Sequence, residues 1–545
     1  MIKRIFASKV RNFTTAALLV AFSTFLSALL GLLRDRLLAG TFGAGETLDI
    51  YFAAFRIPDL IQAILVAGGI SATFLPIFSE ELKKSKEKAF AFANNLLNSS
   101  LLLLIIVCLL FGFLAPWILR LVTPGFNAEQ IRQVTILTRI MFFSPILFGL
   151  SAIFSGVLQY FDRFLVYSLA PIFYNIGIIL GILFFLPIFG VYGLGLGVII
   201  GALFHFLIQA FGARSAGYYY RPILNFKNYR LKKVLNLMSA SSIGAFFVQL
   251  NLILAVALSS TLLPGAISIF TFANNLQGLP IGLIGIPFSV AVFPILSRTW
   301  AAKNKKDFAK NFFSALSQIL FLVIPSSCLV FLLRAQIVRI VLGTGLWGWR
   351  ETRLTAACLG IFSISILASS LVIFLRKSFY SIQEAKMPTF LEAVSFILNI
   401  GFSFLFLSFF QPSGWLRELV ASFLKIQDMK DIAVIAFPLA LSFSAVIQAI
   451  LLFLAFVPRI GTKELAILFS SFKKILALTF LMGTGVWLTL RLMGTIFPLQ
   501  TFWQIFLQAV IAFLVGVSIY VGGAFIFDLQ EINFLKDALF SRKDI

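Results

Sequence analysis

The charged residues best placed to bind a ligand lie near the start of this 545-residue chain. Arg34 and Asp35 are adjacent, and Asp49, Arg56 and Asp59 follow on the next apolar stretch. A charge inside a membrane helix costs a few kcal/mol, so such residues usually face a partner or a water-filled cavity. We therefore expect these five residues to belong to a site that binds a polar ligand.

Snorkelling is the alternative for part of this group. Arg34, Arg36 and Asp49 lie near enough to the predicted membrane interface for their charged ends to reach water. Arg56 follows Asp49 by seven residues, about 10 Å deeper in a helix, and Pro58 opens the backbone beside it. The cavity interpretation is therefore favoured most for Arg56.

A second polar cluster contains Asn274, Asn275 and Gln277. These amides could donate hydrogen bonds to a polar ligand. They could equally join neighbouring helices, an interaction worth about 0.6 to 2 kcal/mol in membranes. The sequence leaves both interpretations open for Asn274 and Asn275.

The chain contains few residues of the types that catalyse reactions. The chain holds 21 acidic residues and a single histidine, His205, which lies in an apolar run and is predicted to pack within a helix. Cys108, Cys328 and Cys358 also lie in apolar runs, where a free buried thiol is the usual state. No stretch resembles a metal-binding, nucleophilic or phosphate-loop motif. We expect a protein that is not an enzyme and that needs no metal or cofactor.

The elements that must position these residues are membrane helices. Hydrophobic residues make up 60% of the chain and charged residues 12%. The uncharged stretch between Arg11 and Arg34 alone would reach about 33 Å as a helix, enough to span a bilayer core. We therefore predict an all-α polytopic membrane protein. Its fourteen predicted helices lie near 12–37, 48–78, 91–118, 133–158, 164–186, 190–213, 233–260, 266–297, 310–333, 352–378, 387–410, 432–457, 470–494 and 502–528.

Basic residues predict how these helices are oriented. Most of the 44 lysines and arginines fall in alternate loops, such as 79–90 and 214–232. Basic loops remain in the cytoplasm, so both termini are predicted to be cytoplasmic. This distribution also explains the net charge of +23 without nucleic acid as a partner.

An internal repeat relates the two halves of the chain. A shift of 218 residues aligns Ile70–Ser79 with Phe288–Ser297, and each segment ends a helix that leads into a lysine-rich loop. Six helices separate the two segments, so both halves share one topology, as in the parallel repeats of some transporters. The predicted regions are an N-terminal lobe at 1–213, a cytoplasmic linker at 214–232, a second lobe at 233–457, and two further helices with a cytoplasmic tail at 458–545.

Several motifs resemble those of the MurJ-type (MviN) lipid II flippases. The most specific block comprises Leu30–Asp35, Phe42–Gly45 with Asp49, Phe52–Pro58 and Phe74–Ile77. Further motifs occur in the family's order, at Ala115–Trp117, Thr123–Phe126, Ala170–Pro171 with Asn175, Leu279–Pro294, Phe379–Ser381 and Pro388. The resemblance covers most of the chain up to about residue 390.

This resemblance implies both a fold and a function. The fold would be that of the multidrug/oligosaccharidyl-lipid/polysaccharide exporter superfamily, with two six-helix lobes around a central cavity and two added C-terminal helices. The function would be to move the undecaprenyl-pyrophosphate-linked peptidoglycan precursor, lipid II, from the inner to the outer leaflet of the bacterial cytoplasmic membrane by alternating access. The implied partners are a lipid-linked saccharide, membrane lipids and cell-wall synthesis proteins.

The chain departs from the family at three cavity arginines. Those arginines fall on Ala28, Gln62 and Asn275, whereas Arg34 is kept and Arg56 matches a basic position. A diphosphate needs cationic partners in a low-dielectric cavity, so either other donors serve or the substrate differs. Gln62 and Asn275 are kept as candidate site residues. The alternative functions are export of another lipid-linked oligosaccharide or of a drug, and a non-transporting membrane scaffold.

Overall fold

The computed structural model describes residues 13–410, 414–429, 431–461, 465–497, 500–529 and 531–532. Long helical segments dominate these ranges, and a short helix, Trp415–Leu424, lies between the eleventh and twelfth. The long segments are α1 (Phe13–Phe42), α2 (Glu46–Leu82), α3 (Lys86–Val122), α4 (Ala128–Tyr160), α5 (Phe164–Phe189), α6 (Tyr192–Ser215), α7 (Tyr229–Ser259), α8 (Ala266–Ala301), α9 (Lys305–Leu342), α10 (Trp349–Ser381), α11 (Lys386–Phe410), α12 (Ile432–Ile460), α13 (Leu465–Ile496) and α14 (Phe502–Ile526).

These segments confirm the predicted all-α membrane fold. Within the described ranges, thirteen helices, α2 to α14, contain a stretch long and apolar enough to cross a membrane. The first predicted span corresponds to α1, whose 30 residues would extend about 45 Å. Each of the fourteen predicted spans therefore overlaps one observed helix.

Two compact units make up the chain, Met1–Ser268 and Ile269–Ile545. They are called unit 1 and unit 2 below. Unit 1 includes α7, which packs against a stretch of α2 at Gln62–Ser71. The lobe boundaries at residues 213 and 233 stay a prediction.

The internal repeat is visible in the backbone. α2 ends at Leu82 and α8 ends at Ala301, which is 219 positions later. A π-helical stretch interrupts both helices, at Gln62–Ser71 in α2 and at Ile281–Gly285 in α8. The two halves therefore share an unusual local geometry at the offset indicated by the sequence repeat, to within one residue.

Side-chain caps begin the helices that follow the two lysine-rich loops. Ser85 accepts a hydrogen bond from the Lys88 N–H at the start of α3, and Asn304 accepts one from the Asp307 N–H at the start of α9. Such caps satisfy N–H groups that have no partner inside the helix. The two capping residues also lie 219 positions apart, so the repeat includes the side-chain caps that follow the loops.

Asparagines of α3 hold the chain between α6 and α7. Asn94 Nδ2 donates to the Tyr219 carbonyl oxygen at 3.0 Å. Asn95 exchanges two hydrogen bonds with the backbone of Asn225, at 3.0 and 2.6 Å. Because backbone groups outside a helix need other partners, these contacts fix part of the predicted linker within unit 1.

Closely packed phenylalanines form part of the core of unit 2. The Phe312 ring on α9 lies 5.1 Å from Phe374 on α10 and 4.9 Å from Phe456 on α12, measured between ring centroids. All three side chains are almost fully buried. Aromatic pairs at such distances add to the stabilisation from burial, so they hold these three helices together.

Glycines allow α5 and α6 to meet backbone to backbone. A Cβ atom on Gly177 would lie 2.2 Å from the Gly201 Cα, and one on Gly181 would lie 2.5 Å from the Gly197 Cα. Small residues of this kind let membrane helices approach closely and gain van der Waals contact. This packing fixes α5, which carries Asn175, one of the residues in the region described next.

We predict that Gly177→Ala destabilises the protein. The added methyl group would overlap the Gly201 backbone, which can give way only if α6 shifts, so we expect a loss of about 1–3 kcal/mol and a lower unfolding temperature in detergent. Gly401→Ala is the control, because its Cβ would meet no atom within 4 Å. Equal unfolding temperatures for Gly177→Ala and the native protein would contradict the close approach.

Candidate functional site

Arg34 lies at the centre of a hydrogen-bonded group on α1 and α5. Its guanidinium donates to Asp35 Oδ1 at 2.9 and 2.7 Å, and to Asn175 Oδ1 at 3.2 Å. Asn175 donates in turn to the carbonyl oxygen of Ser27 at 3.1 Å. The Arg34 side chain is 22% exposed, whereas that of Asp35 is only 4% exposed. The guanidinium is therefore oriented by two partners, and part of the Arg34 side chain remains exposed.

Two tyrosines and a carboxylate surround this pair. Tyr51 on α2 and Tyr174 on α5 both interact electrostatically with Arg34 and with Asp59. Tyr51 is buried, whereas Asp59 and Tyr174 are half-buried. The structure thus brings Arg34, Asp35 and Asp59, all expected from the sequence, into one region of unit 1.

Arg56 is buried inside unit 1, with 8% of its surface exposed. Its Nε donates to the Phe52 carbonyl oxygen at 3.2 Å, and its charge interacts with that of Asp59. The guanidinium is therefore surrounded by protein and does not lie against the lipid-facing surface. Whether it faces the ligand stays a prediction.

Asp49 binds the beginning of α8. Its Oδ2 accepts a hydrogen bond from the Gly265 N–H at 2.7 Å, and its Oδ1 accepts from the Ser268 N–H and hydroxyl at 2.8 and 2.6 Å. A helix N-terminus presents unpaired N–H groups and the positive end of the helix dipole, so a buried carboxylate is stabilised there. Asp49 is only 5% exposed, so its carboxylate is satisfied within the protein and does not snorkel.

Gly265 makes this contact possible. Its φ is +93°, in the left-handed region that favours glycine, and a Cβ there would lie 2.6 Å from the Ala44 carbonyl oxygen. Any larger residue would push the turn away from α2. Glycine at this position therefore allows the turn to reach Asp49.

Gln62 lies on the π-helical stretch of α2. It lines a cavity of about 300 Å³ within unit 1, together with His205 and Ser151. His205 shares a hydrogen bond with the Ser151 hydroxyl at 2.8 Å, and its ring meets Phe148 edge-on at 4.9 Å. His205 is packed within a helix as expected, but nothing in its sequence context indicated that it would line a cavity.

Asn274 and Asn275 lie on α8 in unit 2, whereas the other six candidates lie in unit 1. Asn274 Oδ1 accepts a hydrogen bond from Gln277 Nε2 at 2.9 Å. Both asparagines are half-buried, and the Oε1 of Gln277 is buried without a hydrogen-bond partner. The choice between ligand binding and helix contact for these amides stays a prediction.

Ion pairs connect the end of α2 to the start of α7. Glu80 lies 2.8 Å from Lys233, and Glu81 lies 2.5 Å from Arg230 and 2.8 Å from Lys84. The hydrogen bond to Glu81 raises the pKa of the Lys84 ammonium. Glu81 is buried, so its carboxylate depends on these cations for compensation.

α2 is thus held near both ends and at one point between them. The Asp49 contacts fix its first turns to the residues that follow α7, and the Glu80 and Glu81 pairs fix its last turns to the start of α7. Between them, the Ser242 hydroxyl on α7 donates to the Ile64 carbonyl oxygen at 2.8 Å. That carbonyl lies in the π-helical stretch, where the regular helical pairing is interrupted.

A buried ion pair in unit 2 was not identified from the sequence. Glu392 on α11 is 5% exposed, accepts a hydrogen bond from Gln448 Nε2 at 2.9 Å, and lies 3.6 Å from Arg376 Nη1. These residues join α10, α11 and α12. Glu392, an acid within the span predicted at 387–410, was the available signal. No comparable signal marked the neutral partners Tyr51 and Tyr174.

The arrangement suits binding of a polar group. Arg34 and Arg56 supply positive charge, which the carboxylates of Asp35 and Asp59 balance. Neutral hydrogen-bonding groups come from Tyr51, Tyr174 and Asn175. Among the described residues, no three or more His, Cys, Asp or Glu side chains are grouped to hold a metal ion. The chemistry available here is recognition through charge-assisted hydrogen bonds.

The chain is similar in sequence to a known family of membrane proteins. The family model described as lipid II flippase MurJ matches residues 38–507, most of the chain. The probable lipid II flippase MurJ of Buchnera aphidicola subsp. Acyrthosiphon pisum is 29% identical over 400 residues, covering 72% of this chain and 78% of that protein.

Solved structures with the same fold include a transporter from a second family. The lipid II flippase MurJ in its inward closed conformation superimposes with a TM-score of 0.73 at 23% identity, covering 95% of this chain and 99% of that one. An inward-facing multidrug resistance MATE family transporter of the MOP superfamily gives 0.63 at 15% identity, covering 82% and 96%. At these identities the likeness shows the fold alone.

We predict that Asp49→Ala lowers stability by roughly 2–4 kcal/mol, because it removes a charged acceptor from three donors at the start of α8. Asp49→Asn keeps one acceptor oxygen and should lose less. Thermal unfolding in detergent measures both. Asp428→Ala is the control, since it removes an exposed carboxylate paired with Arg353 and should cost less than about 1 kcal/mol. Equal losses for Asp49→Ala and the control would contradict this role of Asp49.

Proposed function

Because this chain belongs to the MurJ family of lipid II flippases, we propose that it carries lipid II across the bacterial inner membrane. The chain is a multi-pass membrane transporter and not an enzyme. The charged headgroup passes through the protein from the inner to the outer leaflet while the polyprenyl tail stays in lipid. No covalent bond changes, and the product feeds peptidoglycan biosynthesis, on which cell shape depends.

The Arg34 group is the observation that carries this proposal. A planar guanidinium binds two phosphate oxygens at once, and it does so best when its orientation is already fixed. Asp35 and Asn175 fix that orientation, and part of Arg34 remains exposed. Arg56 adds a second, buried cation, whose charge Asp59 offsets as Asp35 offsets that of Arg34.

Fewer cations serve this site than the family pattern implies. Ala28, Gln62 and Asn275 stand where arginines were expected, so a diphosphate would be held by Arg34, Arg56 and neutral amides. Neutral hydrogen bonds are roughly half as strong as charge-assisted ones. This favours, as the second candidate function, export of another lipid-linked oligosaccharide whose headgroup demands less positive charge.

Alternating access would open the two ends of α2 in turn. By the predicted topology the Asp49 end lies on the outer side and the Glu81 end on the cytoplasmic side. Opening outwards would break the Asp49 contacts with Gly265 and Ser268, and opening inwards would break the pairs of Glu80 and Glu81. Each opening exposes charged groups to water, which compensates them while they are separated.

The membrane potential favours transport of the headgroup in the outward direction. An inside-negative potential favours outward movement of an anion by about 2.3 kcal/mol per charge per 100 mV, and two phosphate charges gain about twice that. The basic loops keep both termini in the cytoplasm in this proposal. Cell-wall synthesis proteins are proposed as further partners at the exposed loops.

Complementation tests the proposed function directly. We predict that the chain restores growth and rod or coccal shape to a bacterium depleted of its own lipid II flippase, because it would supply the missing translocation step. The purified protein should also move fluorescent lipid II across proteoliposome membranes. Failure of both assays despite normal membrane expression would contradict lipid II as substrate, and transport of a different lipid-linked oligosaccharide would then identify the second candidate.

We predict that Arg56→Ala slows flipping at least tenfold in proteoliposomes while membrane insertion stays normal. The variant removes a buried cation next to Asp59 and so weakens the attraction for a diphosphate. Arg132→Ala is the matched control, because Arg132 is an exposed arginine paired with Glu129 at a helix start. Arg56→Ala transport at the native rate would remove Arg56 from the mechanism.

A further inference from the structure

The cavity beside Gln62 is lined by five helices of unit 1. Thr24 comes from α1, Gln62 from α2, Ser151 from α4, Ser168 from α5 and His205 from α6. Its volume of about 300 Å³ lies at the lower end of the range of small-molecule sites. A space of this size takes a group of one or two rings.

Hydrogen-bonding groups line this cavity, but charged groups do not. Nine of its fifteen lining residues carry a hydroxyl, amide, phenol or imidazole, and none is an aspartate, glutamate, lysine or arginine. Tyr167 and His205 are its titratable residues, and Phe148 adds an aromatic surface. A neutral polar wall with an aromatic face suits an uncharged ligand that has both hydroxyl edges and an apolar face.

Gln209, one of the residues that line the cavity, has a hydrogen-bond acceptor without a partner. It lies on α6 one turn after His205 and is only 2% exposed. Its Oε1 is buried and has no hydrogen-bond partner. An unpaired buried polar atom costs about 1–3 kcal/mol, so the fold carries a destabilising group in a residue that lines the cavity. Rotation of the amide towards the cavity would let an O–H or N–H donor of a ligand satisfy it.

The neighbouring groups are already oriented. Ser151, which is fully buried, shares a hydrogen bond with His205 Nδ1 at 2.8 Å. Phe148 contacts the His205 ring edge-on, so the imidazole is fixed on two sides. The ring and the Gln209 amide lie on one face of α6, four residues apart, and can act together.

We propose that this cavity is a binding subsite for an uncharged sugar ring of the transported lipid-linked saccharide. A sugar ring has hydroxyl or acetamido donors for Gln209 Oε1 and an apolar C–H face for Phe148. The diphosphate is excluded, since no cation lines the cavity to compensate it. This inference rests on the proposed function and adds to it a place in unit 1 where the sugar is recognised separately from the phosphates.

Binding of two probes to the purified full-length protein tests this subsite. One probe is a short-chain prenyl diphosphate that carries an N-acetylated disaccharide, and the other is the same prenyl diphosphate without sugar. Gln209→Leu, which removes the acceptor at nearly constant volume, should weaken binding of the sugar probe roughly tenfold and leave the sugar-free probe unchanged. Isothermal titration calorimetry measures both affinities.

Stability provides a second readout. Because Gln209→Leu replaces an unsatisfied buried amide by an apolar group, the unfolding temperature of this variant should equal or exceed that of the native protein. A purely structural glutamine would instead lower it when replaced. His205→Phe is the second variant and should show the same selective loss for the sugar probe.

Controls separate this inference from the proposed function. Gln133→Leu alters an exposed glutamine at the start of α4 and should change neither affinity. If Gln209→Leu and His205→Phe bind both probes as the native protein does, or lose both equally, the sugar subsite is wrong and the proposed function stands. A native protein that binds neither probe contradicts the proposed function, and the subsite with it.

Discussion

Hydrocarbon offers no hydrogen-bond partner, so each polar group within these helices must be satisfied by protein, ligand or trapped water. Asp49 shows how strictly this constraint acts, because its two oxygens take three donors from the start of α8. Glu392 meets the same demand through Arg376 and Gln448. The charges that would be costly in lipid are therefore the points at which separate helices are joined.

α2 carries several of these joining contacts. Asp49 binds near its start, Glu81 binds near its end, and a π-helical stretch at Gln62–Ser71 lies between. π-helical turns are rare and occur often at functional sites, since they change which face of a helix a side chain occupies. In this chain Gln62 begins the stretch and lines a polar cavity, whereas Arg56, six residues earlier, lies buried beside the Phe52 carbonyl. α2, which is held near both ends, therefore contributes Arg56 to the charged region and Gln62 to the neutral cavity.

Charged and neutral side chains are divided between these regions. Arg34 and Arg56 lie where a diphosphate could be attracted, whereas the cavity next to Gln62 contains only neutral groups. Gln62, where the family resemblance implies an arginine, fits this division, because a cation there would bring charge to the cavity wall. A headgroup with a charged part and a sugar part can be recognised by two such sites without either one binding so tightly that release becomes slow.

The sequence by itself determined the all-α membrane fold, the approximate positions of the helices and the repeat, because hydropathy is read from short stretches of chain. It also indicated the charged candidate residues, because the cost of a buried charge is a local property. Only the tertiary structure decided which groups those charges meet. Arg34 bonds to Asn175 across 141 positions, and Asp49 bonds to Ser268 across 219. The cavity around His205 could not be predicted for the same reason. A single serine, glutamine or histidine in an apolar run is common in membrane helices. These residues form a polar wall only where five helices pack together.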